Sequence, residues 1–152
     1  MTSMEFCRTA SLGSTVLFSL AILSAPPLWA NRDVESSSIV EIQSLALGID
    51  SENLIELYQS VADLKIFDSR YHEDRPFGYI ESSISLPVAD TNCASLSMHA
   101  ANYSNALVFY GNAAEASVDA IKIASECGYQ RLFWFRGGFS EWKDKDYPFV
   151  IE

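Results

Sequence analysis

Apolar residues fall into short unbroken runs, separated by stretches with helical spacing. Ala106-Leu107-Val108-Phe109-Tyr110 and Leu132-Phe133-Trp134-Phe135 show no polar alternation, which predicts strands covered on both faces. Leu64-Lys65-Ile66-Phe67 predicts another strand ending at Asp68, and Ser83-Ile84-Ser85-Leu86 a weaker one stopped by Pro87. Ile39-Val40-Glu41-Ile42 predicts a short strand upstream of these. Between the runs, Leu54, Leu57, Tyr58 and Val61 recur at i, i+3, i+4 and i+7, with Asp50 or Ser51 placed to cap the helix. Ala116, Ala120, Ile123, Ala124 and Cys127 form a second stripe, and Gly128 follows where a helix ends. Residues 93–102 predict a further helix, and Gly137-Gly138 turn the chain into a short one holding Trp142. Strands alternating with helices predict an α/β fold, a single domain whose mainly parallel sheet carries helices on both faces.

The first thirty residues follow another pattern. Arg8 and the amino terminus precede an apolar stretch from Ser14, which Pro26-Pro27 interrupt before Ala30 and the polar Asn31. A basic start, a short apolar segment and a small residue predict an export signal over residues 1–30, cleaved after Ala30. The apolar segment is shorter than the roughly 20 residues a span needs, so no stable membrane span is expected after cleavage. An uncleaved anchor is the rival reading. Residues 31–49 are expected to be a lead-in, and residues 50–152 the domain. The location implied is exported, periplasmic in a Gram-negative host and secreted otherwise.

Charge narrows the partners. Twenty acidic against ten basic side chains give a formal charge of −10. Nucleic acids are bound by Lys and Arg neutralising phosphates, so that class is excluded. What remains is a protein or small-molecule partner of unknown identity. His72 and His99 stand without ligand spacing, so neither metal nor cofactor is implied. In an oxidising compartment Cys93 and Cys127 could pair, closing a loop worth roughly 3–4 kcal/mol. The apolar stripe instead favours Cys127 as a buried core thiol.

In parallel sheets, sites collect beyond the carboxyl ends of the strands. That rule groups three segments distant in sequence: Asp68-Ser69-Arg70, Gly111 to Ser117, and Arg136-Gly137-Gly138. The pocket candidates are therefore Asp68, Arg70, Gly111, Asn112, Ala113, Ala114, Glu115, Ala116, Ser117 and Arg136. The middle segment joins a buried strand to a helix, so its backbone N–H groups are expected to face a pocket.

Two signatures resemble the rhodanese-like domain family. The first runs Ile66-Phe67-Asp68-Ser69-Arg70, Glu73-Asp74 and Gly78-Tyr79-Ile80-Glu81-Ser82-Ser83-Ile84-Ser85-Leu86-Pro87. The second is Gly128-Tyr129, Leu132 to Phe135, Gly137-Gly138-Phe139, Trp142 and Tyr147-Pro148. Together they span roughly residues 50–150. The resemblance implies the rhodanese fold and a persulfide-carrying cysteine directly after the strand Ala106–Tyr110. Gly111 stands there instead, and it has no thiolate to offer. Glu115 would bring the wrong sign to an anion cradle, and Ser117 stands where related phosphatases carry arginine. Tyr79 replaces the family's histidine. In the family the pair matching Asp68 and Arg70 braces the loops around the site. The expectation is a degenerate sulfurtransferase-like domain that binds or interacts, with no catalytic residue. The alternative is another or residual chemistry at the same pocket, such as sulfur transfer by a different thiol.

Overall fold

The computed structural model describes residues 41–151. The expected signal over residues 1–30 and the stretch 31–40 lie outside the described residues. After a helical stretch over residues 41–45, seven strands and four helices follow in order among the described residues: β1 (Leu47–Ile49), α1 (Ser51–Ser60), β2 (Lys65–Asp68), β3 (Tyr79–Ile80), β4 (Ile84–Ser85), α2 (Cys93–His99), β5 (Ala106–Tyr110), α3 (Val118–Glu126), β6 (Arg131–Phe135), α4 (Gly138–Asp144) and β7 (Phe149–Val150). Three 3-10 turns, His72–Phe77, Val88–Asp90 and Ala114–Ser117, lie between them.

Five strands form one parallel sheet in the order β1-β6-β5-β2-β4, and β3 pairs antiparallel with β7 beside it. β5 is central and all five of its residues are buried. Its side chains alternate between two cores, as strand geometry requires. Leu107 and Phe109 pack with Leu96 of α2 and with Ala120, Ile121 and Ala124 of α3. Val108 and Tyr110 pack with Leu54 of α1 and with Phe139 and Trp142 of α4. The fold is therefore the mainly parallel α/β sheet with helices on both faces.

Local chemistry sets the element ends. The Asp50 carboxylate accepts a hydrogen bond from the Asn53 N–H at 2.9 Å and caps α1. Asn92 caps α2 through the N–H groups of Ala94 and Ser95, while the Ser95 hydroxyl accepts from the Asn92 N–H, completing a capping box. Gly128 follows α3 with φ +96, a conformation that favours glycine.

Four expectations change. Glu41 and Ile42 lie in a helix over residues 41–45 rather than a strand, and Ile42 is fully buried. The edge strand is Leu47–Ile49, recruited from the segment expected to be a lead-in; it pairs with Phe133, Trp134 and Phe135. Three residues carry too weak a pattern to predict a strand alone, and pairing with β6 is what makes them one. The predicted α1 stripe shifts, since Tyr58 is 52% exposed while Ile55 packs against the core. Ala116 belongs to the 3-10 turn and is exposed, so the second stripe begins at Val118.

Candidate functional site

The carboxyl ends of β2, β5 and β6 bring the three segments to one end of the sheet. Asp68 closes β2 and Tyr110 closes β5, and the two are register partners. The Ser69 N–H donates to the Tyr110 carbonyl at 2.9 Å, so chain separation here is bridged by backbone.

Asp68 and Arg70 form a buried bidentate pair. Arg70 donates from Nε to Oδ1 at 2.8 Å and from Nη2 to Oδ2 at 2.6 Å, with 3% of each side chain exposed. Nη2 also donates to the Gly78 carbonyl at 2.9 Å. Burial opposes the Arg70 charge, yet the bonds to Asp68 and its field together hold the guanidinium above its ordinary range. The guanidinium lies 4.3 Å from the Phe139 ring centre, a cation–π arrangement that ties it to α4. The Arg70 backbone N–H also donates to Asp68 Oδ1 at 3.2 Å, and Arg75 adds a fourth donor at 3.4 Å while bonding the Ser83 carbonyl at 2.7 Å. Burial pushes the Tyr110 phenol up, and the Asp68 charge adds to it. Tyr110 therefore stays neutral and shares a 2.9 Å hydrogen bond with the Ser83 hydroxyl. Each of these polar groups is engaged in joining β2 and β5 to the 3-10 turn His72–Phe77 and β3, which is the work of a brace.

The loop after β5 has closed on itself. A Cβ placed on Gly111 would overlap the Ala116 Cβ and lie 3.2 Å from the Ala113 carbonyl oxygen. The methyl of Ala116 thus occupies the space a side chain at 111 would need. The far side of the loop is held by α4: the Phe139 N–H donates to the Gly111 carbonyl at 2.8 Å, and the Ser140 N–H to the Asn112 carbonyl at 3.3 Å. The Trp134 indole donates to the Ala114 carbonyl at 3.1 Å. Gly138 has φ +59, and a Cβ there would overlap the Gly111 carbonyl oxygen, so both its torsion and its contacts require glycine.

Ser117 sits at the helix-capping position of α3 but makes no side-chain cap bond. Its hydroxyl and that of Ser69 are buried without a hydrogen-bond partner among the described residues. The side chain of Glu115 lies outside the described part of the structure. Arg136 is exposed and its stem lies over β1, where a Cβ on Gly48 would come within 3.2 Å of its Nε. Asn112 and Ala113 are exposed at the loop's surface.

Cys93 and Cys127 are joined by a disulfide, with Cα atoms 5.4 Å apart. Cys127 is half-buried rather than a sealed core thiol. The stripe's reading of Cys127 as a core thiol is thus corrected: Cys93 at the start of α2 meets it as a disulfide partner. Neither sulfur belongs to the three segments at the sheet end.

One cluster carried no sequence signal. His72 Nδ1 lies 2.9 Å from the Ser85 hydroxyl and Nε2 3.2 Å from Asp90 Oδ2. The side chains of His72 and Asp90 are 62% and 58% exposed, so water competes for every member. The cluster joins the 3-10 turn His72–Phe77 to β4, and only the fold brings the three residues together. Among the described residues no three His, Cys, Asp or Glu side chains converge as a metal site. No helix among them is long and apolar enough to cross a membrane.

The rhodanese-like domain profile matches residues 52–145. The chain belongs to the rhodanese-like domain family. Solved structures carry the same fold. A Rhodopseudomonas palustris protein, RPA3614, described as of unknown function and a possible tyrosine phosphatase, is 24% identical with TM-score 0.63, covering 76% of this chain and 92% of its own. BH2092 of Bacillus halodurans is 16% identical with TM-score 0.63, covering 78% and 86%. The human single-domain sulfurtransferase TSTD1 is 22% identical with TM-score 0.56, covering 66% and 97%. At these identities the likeness is one of fold. No curated protein matches the chain. Within this fold, the loop from Gly111 to Ser117 is the segment that follows the central strand β5.

Proposed function

We propose that this is an exported rhodanese-like domain that carries no persulfide on the loop after β5 and acts as a binding or interaction module. One observation carries the reading. Position 111 is glycine, and the Ala116 methyl lies where a side chain there would stand. Sulfur transfer of the family's kind needs a thiolate to attack the outer sulfur of thiosulfate, forming a persulfide and releasing sulfite. The loop supplies none. Cys93 and Cys127 are held as a disulfide, which leaves no nucleophilic thiol among the described residues. A disulfide also suits an oxidising compartment, which supports export together with the pattern of residues 1–30.

Thiosulfate and cyanide assayed with the oxidised protein should yield no thiocyanate above the protein-free rate, and persulfide tagging should label nothing. The same assay after reduction tests the alternative of transfer by another thiol. Turnover that appears on reduction and disappears in Cys93→Ala would establish that alternative and overturn the proposal.

A further inference from the structure

A second concave feature lies away from the loop, on the face covered by α1 and α4. It has a volume of about 220 Å³. Leu54, Ile66, Ile80 and Trp142 are its buried members, each no more than 7% exposed, and so form its floor. Tyr58 and Glu81 are exposed and stand at its rim. Two hydrogen bonds hold the walls in place before any ligand arrives: the Trp142 indole donates to the Pro148 carbonyl at 2.9 Å, and the Tyr58 hydroxyl meets the Ser82 hydroxyl at 3.1 Å. Such preorganisation lowers the ordering cost of binding.

Chemistry at the rim has one sign. No basic residue lines the pocket, and Glu81 makes no ion pair among the described residues. Water in an apolar hollow finds few partners, so an apolar group displaces it favourably. The volume is below the ~300–1,000 Å³ typical of drug-sized ligands, which fits one ring with a short chain. The chain's net charge of −10 disfavours a carboxylate guest and favours a cation at the rim.

We propose that this pocket binds a small amphiphilic amine, its ring or short alkyl body against Leu54, Ile80 and Trp142 and its ammonium group beside Glu81. The site shares no residue with the loop after β5, so it stands or falls independently of the silent persulfide position.

Three near-isosteric probes decide it: phenethylamine, phenethyl alcohol and phenylacetate, titrated into the full chain by calorimetry and by tryptophan emission, to which Trp142 in the pocket contributes. Phenethylamine should bind with a Kd on the order of 1 mM. At low salt it should bind about three-fold more tightly than the alcohol, with phenylacetate weakest, and salt should erase the difference. Glu81→Gln should bring amine and alcohol together without altering alcohol binding. Ile55→Phe fills the half-buried wall and should weaken all three by about ten-fold. The proposal is overturned if phenethylamine does not bind, if the three probes bind alike, or if Glu81→Gln keeps the amine preference. Because Glu81 is exposed, that variant tests the ammonium contact even if Ile55→Phe is poorly folded.

Discussion

A methyl group added at Gly111 is the sharpest perturbation of the closed loop. Gly111→Ala places a Cβ on top of the Ala116 Cβ, 3.2 Å from the Ala113 carbonyl oxygen and 3.2 Å from the Ala116 Cα. The backbone at 111 does not have positive φ, so alanine brings no torsional strain and the cost is steric alone. Overpacking by one methylene costs about 1–3 kcal/mol. For a domain of this size that corresponds to a fall in Tm of about 4–14 °C. Ala116→Gly removes the opposing methyl and should itself cost about 1 kcal/mol through backbone entropy. In the Ala116→Gly background, Gly111→Ala should then cost under about 0.5 kcal/mol, leaving a coupling of about 0.5–3 kcal/mol between the two positions. The cycle is read by urea unfolding followed by circular dichroism on oxidised protein. Gly138→Ala is the harsher control, because φ +59 and a backbone carbonyl both oppose its Cβ and no single side-chain trim relieves them. A Gly111→Ala variant as stable as wild type, or one that Ala116→Gly fails to rescue, would refute the closed loop. It would also remove the steric support for a silent persulfide position.

Four further outcomes follow from the same geometry. Cutting the Cys93–Cys127 bond by Cys93→Ser with Cys127→Ser releases a loop of 34 residues' separation, which lowers stability by roughly 4 kcal/mol in the chain-entropy picture; thermal unfolding that moves by under about 3 °C would show the bond to be stability-neutral. Asp68→Ala leaves the buried Arg70 charge uncompensated and should cost about 3–5 kcal/mol in urea unfolding, with a change under about 1 kcal/mol contradicting the brace. Ser117→Ala removes a buried hydroxyl that has no partner among the described residues and should be neutral or stabilising by up to about 1 kcal/mol; a clear loss would reveal a bound partner there. Lys145 hydrogen-bonds Glu52 and holds its carboxyl down to about 2, against an ordinary 4.5. A depressed carboxylate stabilises the fold above its unfolded value and loses that contribution as pH falls through the folded one. Lys145→Met should therefore flatten the acid limb of the stability profile between those two values, and an unchanged limb would contradict the pairing.

Features encoded by neighbours in sequence were legible without the fold. The buried run Ala106–Tyr110, the Asp50 cap and Gly128 after α3 each depend on residues within a few positions, and each appears where its pattern predicts. Element ends moved by a few residues where caps rather than hydrophobicity decide them: α2 stops at His99 instead of running to residue 102. Leu132–Phe135 departs slightly from a sealed run. Phe133 is half-buried because its neighbour β1 is a three-residue edge strand, leaving a groove of about 380 Å³ beside Leu47 and Leu57.

The sequence by itself determined the α/β alternation, the rhodanese-like signatures and the absence of a cysteine after β5, because all three are properties of contiguous residues. Only the tertiary structure decided that the loop is filled, that the two cysteines meet and that Leu47–Ile49 completes the sheet. The last two depend on groups far apart along the chain, and the first on a short loop that α4 folds back to hold. Gly111 has no side chain, and the space one would take is met by the Ala116 methyl five positions on, in a 3-10 turn, while the N-terminus of α4 holds Gly111 and Asn112. A missing side chain can leave a pocket or let the chain collapse into it. Here packing closed the space, since unfilled volume forfeits contact on every wall.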